Sequence, residues 1–192
     1  MKENVNFVTT NNYKFEVAQQ FFNSISEENF NLVKYDIETP EIQNESVEEI
    51  ARHSALWVSK QIGELAVSSD VGFHINALGG FPGPFIKYAN KYLRPNDVLN
   101  LMGPYEDVSA YFIDALAIAS PNGDSEVFVT KTAGVIINER TVPDSKWTMD
   151  AIFIPEGHSK TLAAMDDDEK DSVWTDEAWH KLTNHLVQKK KQ

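Results

Sequence analysis

Apolar and polar positions change period several times along this chain, and each change marks an element. Val5-Asn6-Phe7-Val8 is a strand-like run closed by the polar turn Thr9-Thr10-Asn11-Asn12. Phe15, Val17, Ala18, Phe21 and Phe22 then recur at helical spacing, so the opening reads strand, turn, helix, with Lys14 in the helix's first turn. A helix start offers free N–H groups and the positive end of a dipole, which makes that turn either an anion site or a plain solvated start. Residues from Asn31 to Ile37 read as a second strand. Ser46-Val47-Glu48-Glu49 opens a helix with a capping box, whose inward stripe of Val47, Ile50, Ser54, Trp57, Val58 and Gln61 runs to Gly63. Ser54 interrupts that stripe, as a residue bordering a cleft or one bonding back to its own helix.

Leu65-Ala66-Val67 is short and apolar, which predicts a buried strand with Asp70 at its carboxyl end, where open α/β sheets place ligands. The following loop combines Gly79, Gly80 and Gly83, free to take positive φ, with the stiff Pro82 and Pro84. Pro84 suits the first turn of a helix carrying Ile86, Lys87, Tyr88 and Ala89. A carboxylate and an ammonium converging on one loop suit a metal-bound phosphate ester; the bland alternative is an ordinary strand-to-helix connection with surface charges. Segments Ser109 to Ala119 and Ser125 to Ile136 flank Pro121-Asn122-Gly123-Asp124 and predict a long hairpin. Asp150 to Gly157 reads as a short strand and turn. After the acidic run Asp166 to Glu169 comes a final helix, with Thr175 the expected N-cap between the stapling residues Trp174 and Trp179.

Composition narrows the chemistry. With 192 residues, 42% of them hydrophobic, the chain can bury a sizeable core, and one compact α/β domain over 1–192 is the economical expectation. The absence of cysteine excludes disulfides, thiolate catalysis and cysteine-ligated zinc. A net charge of −12 argues against nucleic acid as a partner, and Lys189-Lys190-Lys191 is too short to reverse it. No apolar run approaches the ~20 residues of a membrane span and the N-terminus carries no signal pattern, so no membrane partner and a cytoplasmic location are expected. An anionic chain that handles phosphates needs a few aimed lysines and a bound cation. There is no G-x-x-x-x-G-K-[ST], H-E-x-x-H or G-x-S-x-G, and the five histidines show no metal spacing.

Over nearly its whole length the chain resembles the inosine triphosphate pyrophosphatase family, which cleaves non-canonical purine nucleoside triphosphates to monophosphate and pyrophosphate. Phe7-Val8-Thr9-Thr10-Asn11-Asn12-Tyr13-Lys14 is similar to the family's T-x-N-x-x-K phosphate turn, matched at Thr9, Asn11 and Lys14. Pro40-Glu41-Ile42-Gln43 resembles the segment whose glutamate binds magnesium, which implies that role for Glu41. Asp70 falls on the catalytic aspartate, and Ala77 to Lys87 on the glycine-proline loop. Phe153-Ile154-Pro155-Glu156-Gly157, Thr161 and Lys170 also land on family positions. The resemblance implies a two-lobed α/β fold with a central mixed sheet flanked by helices and a cleft between lobes, Mg2+ as cofactor, and a homodimer. It further implies that Glu41 and Asp70 hold the metal, that Asp70 positions or deprotonates the attacking water, and that Lys14 and Lys87 hold the leaving pyrophosphate.

The departures concern the base and some of the acids. The family's Ser-His-Arg triplet falls on Trp174-Thr175-Asp176, and its aromatic-Gly-Trp-Asp segment on Trp147-Thr148-Met149-Asp150. Ser69 replaces the acid before the catalytic aspartate, Ser54 a cleft lysine, and Ala164 a glutamate. Trp147, Asp150 and Asp176 are the expected base-end contacts, and Lys170 is a further expected substrate contact. An arginine only donates and an ionised aspartate only accepts, so Asp176 in the pocket would favour a base offering an amino group; the alternative is a closed pocket and a merely well-capped helix. A catalytically degenerate nucleotide-binding or interaction protein of the same fold is the second reading.

Overall fold

A computed structural model describes residues 2–26, 30–137 and 145–189. The strands are β1 (Glu3–Val8), β2 (Phe30–Tyr35), β3 (Ala66–Ile75), β4 (Pro82–Gly83), β5 (Ser109–Ala119), β6 (Ser125–Ile136) and β7 (Phe153–Pro155). The helices are α1 (Asn12–Ser26), α2 (Val47–Ile62), α3 (Ile86–Tyr92), α4 (Pro95–Met102), α5 (Thr148–Ile152), α6 (Asp167–Val173) and α7 (Glu177–Lys189). The sheet order is β2-β1-β3-β5-β6-β7, with β4 paired to β3. It is mixed: β1 runs parallel to β2 and β3, whereas β4 on β3 and β7 on β6 are antiparallel. This is the expected α/β architecture of a central mixed sheet flanked by helices.

The chain falls into two compact units, one of residues through Asp70, Asp114–Thr130 and Asp176 onward, the other of Val71–Ile113 and Lys131–Thr175. In the first, Val5 and Phe7 point to one face of the sheet, where Ala18 and Phe22 of α1, Leu182 and Leu186 of α7, and Leu116 and Ile118 of β5 form one buried cluster. Trp179 closes it edge-on, its ring centroid 5.6 Å from Phe7 and 6.4 Å from Phe22. On the other face Val8 and Ala66 meet Val58 of α2. The second unit is built around Phe73, Phe112 and Phe153, with centroids 4.6 to 5.3 Å apart, and buries Ile75, Val98, Met149 and Ile152 around them.

The first strand and helix and the long hairpin match expectation, the hairpin to the residue. Other elements differ, each for a local reason. Ser46 does cap α2, accepting from Glu49 N at 3.1 Å, but its own N–H donates to Asn44 Oδ1 at 2.8 Å, so the reciprocal half of the box is replaced by an Asx turn. The buried stripe of α2 is Val47, Ala51, Ser54, Ala55, Val58 and Ser59, smaller residues than the predicted set, because close approach of helix to sheet favours them. Gly63 ends the helix at φ +71°, a conformation a side chain would disfavour. Asp70 lies inside a ten-residue strand rather than at its end; what stops at Ser68 is the pairing with β1. Pro84 precedes the N-cap Phe85 of α3 instead of entering its first turn. Asp150 to Ile152 are helical, with the strand confined to β7. The acidic run is itself a helix, α6, where Asp166 and Glu169 form a full capping box. α7 starts two residues after Thr175, and its staple is not made, since Trp179 is held by Phe7 and Phe22. Arg94-Pro95 starts α4, an element that proline at a helix's first position announces.

One glycine has no substitute. A Cβ on Gly134, opposite Pro155 in the β6–β7 ladder, would sit 2.3 Å from Ile154 O and 2.5 Å from the Phe153 ring. Gly134→Ala is expected to cost about 3 kcal/mol of stability, read as a lower urea midpoint; an unchanged midpoint would contradict this packing.

Candidate functional site

In the first unit the carboxyl end of β1 turns into α1 through a set of side-chain bonds. Thr9 Oγ1 accepts from Asn11 N at 3.1 Å, and Asn11 Oδ1 accepts from Lys14 N at 3.4 Å, an N-cap that orders the first turn. Thr9 N donates to Tyr35 O of β2 at 3.2 Å, and Lys34 Nζ donates to Asn12 Oδ1 at 2.7 Å while pairing with Asp36 at 2.9 Å. Thr9 and Asn11 thus build the turn, and Lys14 rises exposed from it. Lys34 was not among the expected site residues; its place between Val33 and Tyr35 in β2 was the signal for it.

The acids of this unit lie on two faces. Val67 packs in the α1-side cluster, so by alternation Ser68 and Asp70 point to the α2 side. There Ser54 is buried and accepts a hydrogen bond from Thr39 Oγ1 at 3.2 Å, which ties the segment carrying Glu41 to α2. Glu41 is exposed and Asp70 half-buried. Among the described residues no three acidic or histidine side chains gather to hold a metal ion. Mg2+ commonly takes one or two carboxylates and completes its shell from phosphates and water, so it does not require such a cage. On the opposite face, aligned with Leu116 and Ile118, stands Asp114, which the sequence analysis missed although a lone acid in the apolar run Phe112 to Ala119 was visible. Burial pushes its carboxyl up to about 6, against the pull of Lys14.

In the second unit Gly79, Gly80 and Gly83 all take positive φ, as expected of the loop, and Lys87 is exposed in the first turn of α3. The loop lies against His74, which stacks on Tyr111 at 5.0 Å; Lys131 Nζ stands 3.7 Å from the Tyr111 ring centre. α5 is anchored to α3: Thr148 Oγ1 donates to Leu93 O at 2.6 Å and Met149 N to Asn90 Oδ1 at 3.1 Å. That fixes Trp147, 47% exposed, and half-buried Asp150 near Lys170 of α6. Trp174, where the resembled family has its serine, stands edge-on to Phe112 at 5.4 Å and adds a fourth ring to the aromatic core. Asp176 belongs to the first unit, where its carboxylate meets His180 Nε2 at 3.0 Å on the same helix.

The pattern of the Ham1 family matches residues 5–183. The chain belongs to the Ham1 family. It is 36% identical to the dITP/XTP pyrophosphatase of Korarchaeum cryptofilum over 165 residues, 86% of this chain and 85% of that one. It is 33% identical to the inosine triphosphate pyrophosphatase of Ajellomyces capsulatus, covering 88% of each. Among solved structures the Ham1 protein of Staphylococcus aureus shares the fold at TM-score 0.80 and 18% identity, covering 97% of this chain and 100% of that one. A Ham1 protein from Coxiella burnetii does so at 0.80 and 23%, covering 98% and 100%.

In this Ham1 chain Asp150 gives a pH signature. Burial raises its carboxyl from 3.8 to about 6, with Lys170 opposing the shift. The folded state therefore binds more protons than the unfolded one between these values, and stability is lost as pH rises through that window. The unfolding free energy of the native protein minus that of Asp150→Asn should fall from pH 4 to pH 7 in urea titrations. A pH-independent difference would remove the burial argument.

Proposed function

We propose that this chain is a Mg2+-dependent nucleoside triphosphate pyrophosphatase, releasing monophosphate and pyrophosphate, with a base preference altered from that of its relatives. The observation that carries the reading is the capped turn Thr9–Lys14, a helix start with a lysine aimed from it, in the same unit as Asp70 and Glu41. The names of the relatives, dITP/XTP pyrophosphatase and inosine triphosphate pyrophosphatase, support hydrolysis of an acid anhydride and a purine triphosphate class.

Glu41 and Asp70 would hold the ion, which when bound offsets phosphate charge and favours attack at phosphorus. Asp70 orients the water and accepts its proton; the water oxygen bonds to the α-phosphorus as the α–β bridging oxygen leaves with pyrophosphate. Free N–H groups at the start of α1 and the ammonium of Lys14 bind phosphate oxygens, and Lys87 is assigned to the same leaving group. Trp147 offers a stacking face, with Asp150 and Lys170 as acceptor and donor for the base. Asp176 would accept from a base while its Oδ2 is shared with His180. A homodimer and a cytoplasmic setting complete the proposal; among the described residues no helix is long and apolar enough to cross a membrane.

The second reading, a nucleotide-binding protein without turnover, is favoured by Ser54, whose buried hydroxyl meets Thr39 where the resemblance expects a cleft lysine. Pyrophosphate against phosphate release, measured with Mg2+ over a panel of ribo- and deoxyribonucleoside triphosphates, separates the two. Pyrophosphate should appear and fall by about 100-fold or more in Asp70→Asn, the scale of losing a general base. Inosine triphosphate as the clear favourite would remove the altered base preference, and silence from folded protein would leave the binding reading.

A further inference from the structure

α1 and β5 contribute to the same buried cluster. Ala18 and Phe22 of the helix share a buried cluster with Leu116 and Ile118 of the strand. Four residues of helix rise about 6 Å and two residues of strand about 6.8 Å. One step beyond Ala18 is Lys14, and one step beyond Leu116 is Asp114. Both steps lead the same way: Ile118, Ala119 and Ser120 line a cavity with Glu3 and Phe30, the amino ends of β1 and β2. Asp114, earlier on β5, therefore lies toward the carboxyl end of β1, where the Thr9–Lys14 turn begins. Asp114 and the start of α1 thus lie toward the same end of the same sheet face, and the Lys14 charge acts on the carboxylate. Alternation puts Asp114 on the face opposite Asp70, so it is no third member of the Glu41 and Asp70 set.

We propose that Asp114 is a positioning residue for Lys14, drawing its ammonium over β5 in the free protein and competing for it with the phosphates of the substrate. The proposal rests on the phosphate role given above to Lys14. Through this competition Asp114 weakens the grip on phosphate and promotes release of pyrophosphate. An uncharged residue here would tighten both substrate and product.

A double-mutant cycle of Asp114→Asn and Lys14→Met tests this, with pyrophosphate binding in Mg2+ measured by calorimetry and KM and kcat measured on deoxyinosine triphosphate. Asp114→Asn should tighten pyrophosphate and lower KM by about fivefold, the scale of one nearby charge in wet surroundings, without raising kcat. Asp114→Glu should behave as the native protein, and in the Lys14→Met background the Asn effect should shrink to roughly half or less. An equal effect in both backgrounds, no effect in a folded Asp114→Asn protein, or no pyrophosphate binding by the native protein would overturn the proposal. A native protein that shows the coupling in pyrophosphate binding but hydrolyses no triphosphate would overturn the functional reading and support this one.

Discussion

Unbroken period-two alternation along β3 and β5 is the constraint on which the rest of this structure depends. Val67 of β3 shares a core with Leu116 and Ile118 of β5, and farther along the same strands Phe73 and Ile75 share a second core with Ala110 and Phe112. Within each unit the buried residues follow the pleat: Val67 in one and Phe73 and Ile75 in the other are odd-numbered on β3, and Leu116 and Ile118 in one and Ala110 and Phe112 in the other are even-numbered on β5. A slip of one residue would turn the apolar side chains of two clusters outward at once. Asp70 is the last residue of the first unit on β3, and Asp114 the first on β5. The face of each carboxylate therefore follows from its place in the alternation of its own strand.

Legibility followed the range of the forces involved. The β5–β6 hairpin was readable because its turn and its β-branched flanks are local, and Ser46 and Gly63 announced α2 for the same reason. The turn at Thr9–Lys14 was readable too, since a cap is made between residues two or three apart. What escaped depended on partners distant in sequence. The stripe of α2 moved toward Ala51, Ala55 and Ser59 because the sheet beneath it, not the helix, decides which residues fit closely. Trp174 looked like half of a staple with Trp179, yet each ring found a larger aromatic surface, Phe112 for one and Phe7 with Phe22 for the other. The length of β3 could not be foreseen from Leu65-Ala66-Val67, because its second half is held by β4, whose pairing residues Pro82 and Gly83 do not look like a strand. Asp114 is the instructive miss: a single acid in a run of apolar residues is easily passed over as tolerated surface, but the charge acting on it belongs to a lysine a hundred residues earlier.

Charge explains why such couplings matter here. With a net −12, the chain repels polyanions at long range, so phosphate affinity must come from short-range, directed groups. The lysines near the turn do not stand alone: Lys34 is shared by Asn12 and Asp36, and Lys14 feels Asp114. If the proposed phosphate role holds, local acids that moderate these lysines would let an anionic protein hold a highly charged ligand and still release it.

The candidate residues of the two units are held by different means. The phosphate end is made of backbone: a strand, a turn closed by Thr9 and Asn11, and the open N–H groups of a helix. Altering it would disturb β1, β2 and α1 together, since the turn is bonded to Tyr35 and Asn12 is bonded to Lys34. In the second unit the residues proposed above for the base project from short helices that are anchored by other residues, as Thr148 and Asn90 anchor α5. Replacing a reading residue there leaves the anchor intact. Trp174 shows how far this goes, because the substituted ring is not merely tolerated but buries an edge on Phe112 and so adds to the core of its own unit. A change of that kind stabilises the fold while it removes hydrogen-bonding capacity, so restoring a serine at 174 would have to work against packing as well as against chemistry.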